Sequence, residues 1–203
     1  MSNNTSKKCL CVIPARGGSK GILNKNLAKL GDISLLAHTI KQAINSKIFD
    51  YIHVSTDSLE IQKEALKEGA SCDFLRPQEL ANDKVGTSLS LIHSLDELNK
   101  IGKDFDFIYE LQPTYPFRKS STILNSFTKL IKVKSLVSVY RIDNTSHPDF
   151  LAEIEQNGNL KFIKNTPDKF ARQLIKNVYA VTGEIQASSV ENFVKESKDS
   201  KVT

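Results

Sequence analysis

The 203-residue chain lacks the cysteine patterns that a disulfide framework or a structural metal site would need. It has three cysteines, with no C-x-x-C pair and no histidine near one. Cys9 and Cys11 are two residues apart in an apolar run, so on a strand both would point to the same face, as small buried residues. We therefore expect free thiols in a reducing compartment, and the cytoplasm as the location.

Long apolar runs are also missing. None approaches the roughly 20 residues of a membrane span, and residues 1–8 are polar, without the apolar core of a signal peptide. The formal net charge of +5 is modest and spread along the chain. Small anionic substrates suit this charge, so we predict no nucleic acid and no membrane as partner.

Two common nucleotide-binding motifs are absent as well. Gly17, Gly18 and Gly21 follow an apolar run, but their spacing matches neither G-x-x-x-x-G-K-[ST] nor G-x-G-x-x-G. An ordinary P-loop NTPase and a dinucleotide oxidoreductase are therefore not supported.

What the chain does have is a glycine-rich, cationic loop after its first predicted strand, residues 9–13. The glycines let backbone N–H groups approach an anion, and Arg16, Lys20 and Lys25 supply positive charge. This combination is typical of a polyphosphate site. The alternative is a solvated basic turn without a ligand.

Strand-like and helix-like patterns alternate through the first 140 residues. We predict strands near 9–13, 51–55, 72–75, 105–111 and 135–140, with helices near 34–47, 57–67, 91–98 and 120–131. Asp57 is the expected N-cap of the second helix and Gly69 its C′ residue. Such alternation predicts an α/β fold with a mostly parallel sheet covered by helices on both faces. Ligands then bind beyond the carboxyl ends of the strands.

The pattern changes after residue 142. The Asn157-Gly158 pair predicts a hairpin turn between two short apolar segments, 150–155 and 160–163. A two-stranded hairpin is rarely stable alone, so we expect it to pack on a second subunit. The predicted division is a core over 1–142, an excursion over 143–178, and a return to the core with a tail over 179–203.

A second group of candidate functional residues follows the predicted strand that ends near Leu111. In residues 112–118, two prolines stiffen the loop, Gln112 and Thr114 offer hydrogen-bonding groups, and Arg118 adds a cation. A rigid turn without a ligand is an equally good interpretation of this loop taken alone.

Five segments in order resemble the acylneuraminate cytidylyltransferase family: Ile13–Gly21 with Lys25-Asn26, Val54–Asp57, Phe74–Pro77, and Leu111–Arg118. The resemblance implies a three-layer α/β nucleotidyltransferase fold, of the nucleotide-diphospho-sugar transferase type, and a homodimer with a protruding dimerisation hairpin. It also implies a Mg²⁺-dependent reaction in which CTP and an acidic nine-carbon sugar give a CMP-sugar and pyrophosphate.

The same resemblance assigns roles to residues. Arg16 and Lys25 would be catalytic, through the triphosphate. The nucleotide would be bound by Ala15, Gly17, Ser19, Lys20, Asn26, Arg76 and Thr87. The sugar substrate would be contacted by Gln112, Pro113, Thr114 and Arg172.

Two departures from the family pattern leave alternatives open. The usual R-x-N-G-A is replaced by Ala180–Glu184, which removes a cation expected near an acidic sugar, and the aspartate-rich segment that holds Mg²⁺ in relatives is missing. The alternatives are a related enzyme using another sugar or GTP, or a nucleotide-binding paralogue with little activity. A chain truncated before its metal-binding carboxylates is a further alternative. The metal ligands stay unassigned.

Overall fold

The computed structural model of the chain describes residues 7–18, 21–82, 85–143, 146–163 and 176–199. Its strands are β1 (Cys9–Pro14), β2 (Lys29–Leu30), β3 (Ile33–Ser34), β4 (Tyr51–Ser55), β5 (Phe107–Glu110), β6 (Ser135–Arg141), β7 (Ala152–Ile154), β8 (Leu160–Phe162) and β9 (Tyr179–Ser189). Its α-helices are α1 (Leu35–Ser46), α2 (Leu59–Lys67), α3 (Thr87–Lys100), α4 (Ser120–Val133) and α5 (Val190–Asp199). Short 3₁₀ turns cover Lys25–Leu27, Gln78–Leu80 and Pro148–Phe150.

The largest sheet has five strands in the order β4-β1-β5-β9-β6. Strand β1 pairs in parallel with both β4 and β5, whereas β9 runs antiparallel to β5. The carboxyl ends of β1, β4 and β5 therefore meet at one edge, and the chain enters β9 from that same edge. This confirms the predicted α/β class with a mostly parallel sheet.

Alternate residues of β1 belong to two apolar layers, one on each face of the sheet. Cys9, Cys11 and Ile13 pack with residues of α1, α2 and α4 on one face, and Leu10 and Val12 pack with α3 and α5 on the other. All five are fully buried, as expected for a strand in a parallel sheet covered on both sides. The two buried thiols share one face, as predicted, and burial raises the pKa of each.

The chain forms two compact units. One comprises Met1–Val137 with Gly183–Thr203, and the other comprises Ser138–Thr182. Within the second unit, β7 and β8 pair antiparallel around Gly158, whose φ of 86° is the left-handed conformation that glycine adopts readily. The predicted hairpin is therefore confirmed.

None of the described helices has the length and apolar character needed to cross a lipid bilayer.

Two local predictions were wrong. The N-cap of α2 is Ser58, whose hydroxyl accepts from Ile61 N, and not Asp57. Residues 72–75 form no strand: Ser71 makes one isolated parallel bridge to His53, and the carbonyl of Cys72 accepts instead from the side-chain amide of Gln62. In both places a side-chain hydrogen bond that periodicity does not reveal decides the local structure.

Candidate functional site

A cleft of about 260 Å³ lies where the carboxyl ends of β1 and β5 meet. Its walls come from four stretches of the chain: the loop after β1, the turn around Arg76, the start of α3 and the loop after β5. The lining residues are Pro14, Arg16, Lys25, Asn26, Arg76, Leu80, Asn82, Val85, Thr87, Ser90, Gln112, Pro113 and Thr114. Among these described residues three are cationic and none is acidic, so this part of the cleft is suited to an anionic ligand.

Most of the predicted site residues meet in this cleft. Those that line it are Arg16, Lys25, Asn26, Arg76, Thr87, Gln112, Pro113 and Thr114. Ala15 and Gly17 lie in the same loop but do not line the cleft. Ser19, Lys20 and Arg172 lie outside the described residues.

Backbone contacts fix the loop that carries Arg16. Ala15 is fully buried, and its N–H donates to the carbonyl of Ser55 at the end of β4 (3.0 Å). The N–H of Gly17 donates to the carboxylate of Asp57 (2.8 Å). Asp57, predicted as a helix cap, thus serves to hold the glycine-rich loop against the end of β4.

Asn26 ties the far end of the loop to its beginning. Its side chain is buried, and its amide donates to the carbonyl of Arg16 over 2.9 Å. The preceding Asn24 has a φ of 50°, a left-handed conformation that asparagine tolerates, and Lys25 then opens a 3₁₀ turn. Lys25 and Arg16 are therefore held near each other by a short, hydrogen-bonded excursion of the backbone.

Arg76 is a buried cation at the wall of the cleft. Its guanidinium donates to the hydroxyl of Ser55 (3.1 Å) and to the Ser55 carbonyl (2.6 Å). Burial lowers its pKa, and the charges of Asp57 and Glu110 act in the opposite direction. The guanidinium is thus fixed in direction before any ligand binds.

Glu110, a residue that the sequence prediction missed, lies behind two of the lining side chains. It is the last residue of β5, is buried, and accepts hydrogen bonds from Gln112 Nε2 (2.9 Å) and Thr87 Oγ1 (3.2 Å). Burial raises its pKa, opposed by these two hydrogen bonds and by the charge of Arg76. The available signal was an acidic residue directly after the apolar run Phe107–Tyr109.

Arg118 was expected to add a cation to the loop after β5, but it points into the protein. Its guanidinium is buried and donates to the carbonyls of Glu184 and Gln112 and to the side-chain oxygen of Gln42. It therefore fastens the loop to the middle of β9 and to α1.

The described residues offer no resident metal site. No group of three or more histidine, cysteine, aspartate or glutamate side chains among them could hold a metal ion. The lining residues within the described ranges include no carboxylates, which are the usual protein ligands of Mg²⁺. The donor set of the described cleft does not fit a protein-held Mg²⁺.

Comparisons with known proteins agree with this architecture. Residues 10–196 match the family model described as "Cytidylyltransferase". The chain is 34% identical over 180 residues to post-translational flagellin modification protein B of Campylobacter coli, covering 87% of this chain and 75% of that protein. It is 40% identical over 155 residues to the CMP-N,N'-diacetyllegionaminic acid synthase of Legionella pneumophila, covering 75% of this chain and 66% of that one.

A third relative is the N-acylneuraminate cytidylyltransferase of Escherichia coli, 37% identical over 172 residues. That match covers 83% of this chain but 39% of the longer relative. Among solved structures, a CMP:2-keto-3-deoxy-manno-octonic acid synthetase in complex with CTP has a TM-score of 0.69 at 16% identity, over 95% of this chain and 78% of the other. At that identity the likeness concerns the fold. The matched family model and the sequence relatives together show that the chain belongs to the acylneuraminate cytidylyltransferase family.

Proposed function

We propose that the protein transfers a cytidylyl group from CTP to an acidic nine-carbon sugar of the sialic acid type, with release of pyrophosphate. The observation that carries the proposal is the cationic cleft, in which Arg16, Lys25 and Arg76 stand beside the hydrogen-bonding groups of Asn26, Thr87 and Gln112. Three cations suit a triphosphate and an acidic sugar, while amide and hydroxyl groups suit a base and sugar hydroxyls. The names of two of the relatives, the N-acylneuraminate cytidylyltransferase and the CMP-N,N'-diacetyllegionaminic acid synthase, support the same choice.

In the proposed reaction, a hydroxyl oxygen of the sugar attacks the α-phosphorus of CTP. A new bond forms between that oxygen and phosphorus, the bond from the α-phosphorus to the bridging oxygen breaks, and pyrophosphate leaves. The hydroxyl proton is released. Catalysis of phosphoryl transfer depends on positioning and on neutralising negative charge at phosphoryl oxygens.

In this scheme Arg16 and Lys25 bind the triphosphate and stabilise the charge that develops on it. The hydrogen bond from the Asn26 amide to the Arg16 carbonyl closes the segment that carries both cations and fixes its backbone. Such pre-organisation matters because the groups need no rearrangement when the transition state forms. Ser19, Lys20 and the Gly17 segment are proposed as additional phosphate contacts, and Arg172 as a contact to the sugar.

Mg²⁺ is proposed to enter as part of the substrate, bound to the phosphate oxygens of CTP. Phosphate groups commonly supply several ligands of Mg²⁺ in nucleotide sites. This suits a cleft whose described lining residues include no carboxylate. We assign no residue of this chain as a metal ligand.

A homodimer formed through the second compact unit is also proposed. That unit exposes many large apolar side chains: Val139, Tyr140, Leu151, Ile154, Leu160, Phe162, Ile163, Tyr179 and Val181. Exposed apolar groups at this density are typical of a protein–protein interface.

Because all three cysteines are free and buried, we propose the reducing cytoplasm as the location.

The dimer can be tested by sedimentation equilibrium of Ile154→Lys, a change at a side chain that is 77% exposed. We expect the wild type to sediment at twice the chain mass and the variant at the chain mass. Leu59→Lys, at an exposed leucine of α2 in the other unit, is the matched control and should remain dimeric. A monomeric wild type would contradict the dimer.

The reaction can be tested by incubating the protein with CTP, Mg²⁺ and, in separate samples, N-acetylneuraminic, N,N'-diacetyllegionaminic or pseudaminic acid. Mass spectrometry should detect a CMP-sugar in at least one sample and none when CTP is omitted. Absence of a CMP-sugar from all three would contradict the proposed substrate class.

A further inference from the structure

The carboxylate of Glu110 controls which hydrogen atoms remain available on the wall of the cleft. Glu110 is itself 4% exposed and does not line the cleft. One of its oxygens accepts from Gln112 Nε2 and the other accepts from Thr87 Oγ1. Both of these partners do line the cleft, so the buried carboxylate lies directly behind two groups that can contact a ligand.

An ionised carboxylate can accept hydrogen bonds but cannot donate one. Thr87 has a single hydroxyl hydrogen, and in this arrangement Glu110 takes it. What Thr87 can still offer towards the cleft is the lone pairs of its oxygen, so it acts there as an acceptor. Gln112 likewise uses one of its amide hydrogens on Glu110.

An acceptor at this place distinguishes the two pyrimidine bases. Cytosine carries an exocyclic amino group, which donates, whereas uracil carries a carbonyl oxygen at the same ring position, which accepts. A carbonyl facing the Thr87 oxygen would bring two acceptors together and leave both without a hydrogen bond. Thr87 is exposed in the free protein, but a base bound against it would cover its hydroxyl, and a polar group covered in that state costs more than an ordinary hydrogen bond contributes.

We propose that Glu110 is a positioning residue that sets the preference of the cleft for cytosine over uracil, by holding Thr87 as a hydrogen-bond acceptor. This inference rests on the proposed function, since it takes the nucleotide of the reaction to occupy the cleft beside Thr87. It adds to that function a residue that does not touch the nucleotide and a physical reason for the choice of base.

The test is equilibrium binding of CTP and of UTP to the full chain by calorimetry at pH 8, without sugar. In Glu110→Gln, the new amide can donate to Thr87 while its oxygen still accepts from Gln112. The Thr87 hydrogen is then free to turn towards a ligand carbonyl. We expect the ratio of the two dissociation constants, UTP over CTP, to fall about tenfold, mainly through tighter binding of UTP.

Thr87→Val is a second variant, which removes the acceptor itself. It should lower the same ratio, and adding Glu110→Gln to it should change the ratio no further, because Glu110 acts through Thr87. Glu97→Gln is the matched control, since it makes the same Glu→Gln change on the helix that carries Thr87, at a carboxylate paired with Lys100. Its ratio should equal that of the wild type.

Each result separates the two proposals. If the wild type binds neither nucleotide, the proposed function and the role of Glu110 both fail. If the wild type prefers CTP but Glu110→Gln keeps the full preference, the role of Glu110 is wrong and the proposed function stands. Equal binding of both nucleotides by the wild type would overturn the role of Glu110 in the same way.

Discussion

Gly183 and Gln112 approach each other so closely that no side chain fits between them. A Cβ at position 183 would lie 2.6 Å from Gln112 Oε1, and 2.9 Å from both Gln112 Cδ and Tyr115 Cε2. Distances below about 3 Å force one of the groups to move. Gln112 is thus confined between Gly183 on one side and Glu110 on the other.

Gly183→Ala should therefore displace the end of Gln112 and impair the reaction more than the fold. We expect kcat/KM to fall roughly ten- to hundredfold, as misplaced site groups commonly cause, with a small change in the thermal midpoint. In a Gln112→Ala background, the same change should cost little further activity. Equal losses in both backgrounds would show that Gly183 acts independently of Gln112.

Arg118 is predicted to contribute to stability. Arg118→Met would leave the carbonyls of Glu184 and Gln112 and the amide oxygen of Gln42 without their donor. We expect a loss of about 3 kcal/mol in the free energy of unfolding, measured in urea. Lys119→Met, at the adjacent position where the side chain makes no capping bond, should change it by less than about 0.5 kcal/mol. A similar small change for both variants would contradict this assignment.

Glu110→Gln should leave the protein as stable as the wild type, or more stable, at neutral and alkaline pH. The folded state raises the pKa of Glu110 above its ordinary value of 4.5, chiefly through burial. The protonated form is thus favoured by folding, and the associated stability is lost as pH rises from 4.5 through the raised pKa. The difference in thermal midpoint, variant minus wild type, should therefore grow across that window. A large destabilisation that is the same at every pH would indicate a purely structural role.

His53 is predicted to make the protein sensitive to acid. Its ring is buried against Phe74, and neither ring nitrogen has a hydrogen-bond partner within the described ranges. Burial lowers its pKa from 6.5 to about 4, with Asp73 acting in the opposite direction and His93, Arg76 and Lys103 in the same direction.

Because the unfolded state binds the His53 proton first, stability is lost as pH falls from 6.5 towards 4. His53→Leu should remove this part of the pH dependence. The difference in thermal midpoint, variant minus wild type, should therefore increase as the pH falls from 7 to 5. Parallel curves for the two proteins would contradict the prediction.

The sequence alone predicted those parts of the fold that depend on short-range patterns. The apolar run at β1 and the helix-breaking Gly69, whose φ is 90°, are examples. The order of the motifs also indicated candidate site residues, and Arg16, Arg76 and Gln112 do line one cleft. They meet there because the carboxyl ends of parallel strands share an edge of the sheet.

What could not be predicted depends on contacts between distant segments. Glu110 is functional in this account because Thr87, on a separate helix, comes to lie against it. Gly183 matters because β9 returns antiparallel beside β5 and passes over Gln112. In the sequence Arg118 resembles a surface cation, because its acceptors come from the middle of β9 and from α1, which are distant along the chain. Neither hydrophobic periodicity nor motif spacing predicts these contacts between distant segments.

The most direct test of the central claim is the rate of pyrophosphate release from CTP in the presence of Mg²⁺ and an acidic nine-carbon sugar. The account predicts release that requires both CTP and the sugar and falls at least a hundredfold in Arg16→Ala, because that cation neutralises charge on the triphosphate. Lys29→Ala, an exposed lysine of β2 that does not line the cleft, should keep the wild-type rate. Release that persists in Arg16→Ala, or no release by the wild type with any such sugar, would contradict the account.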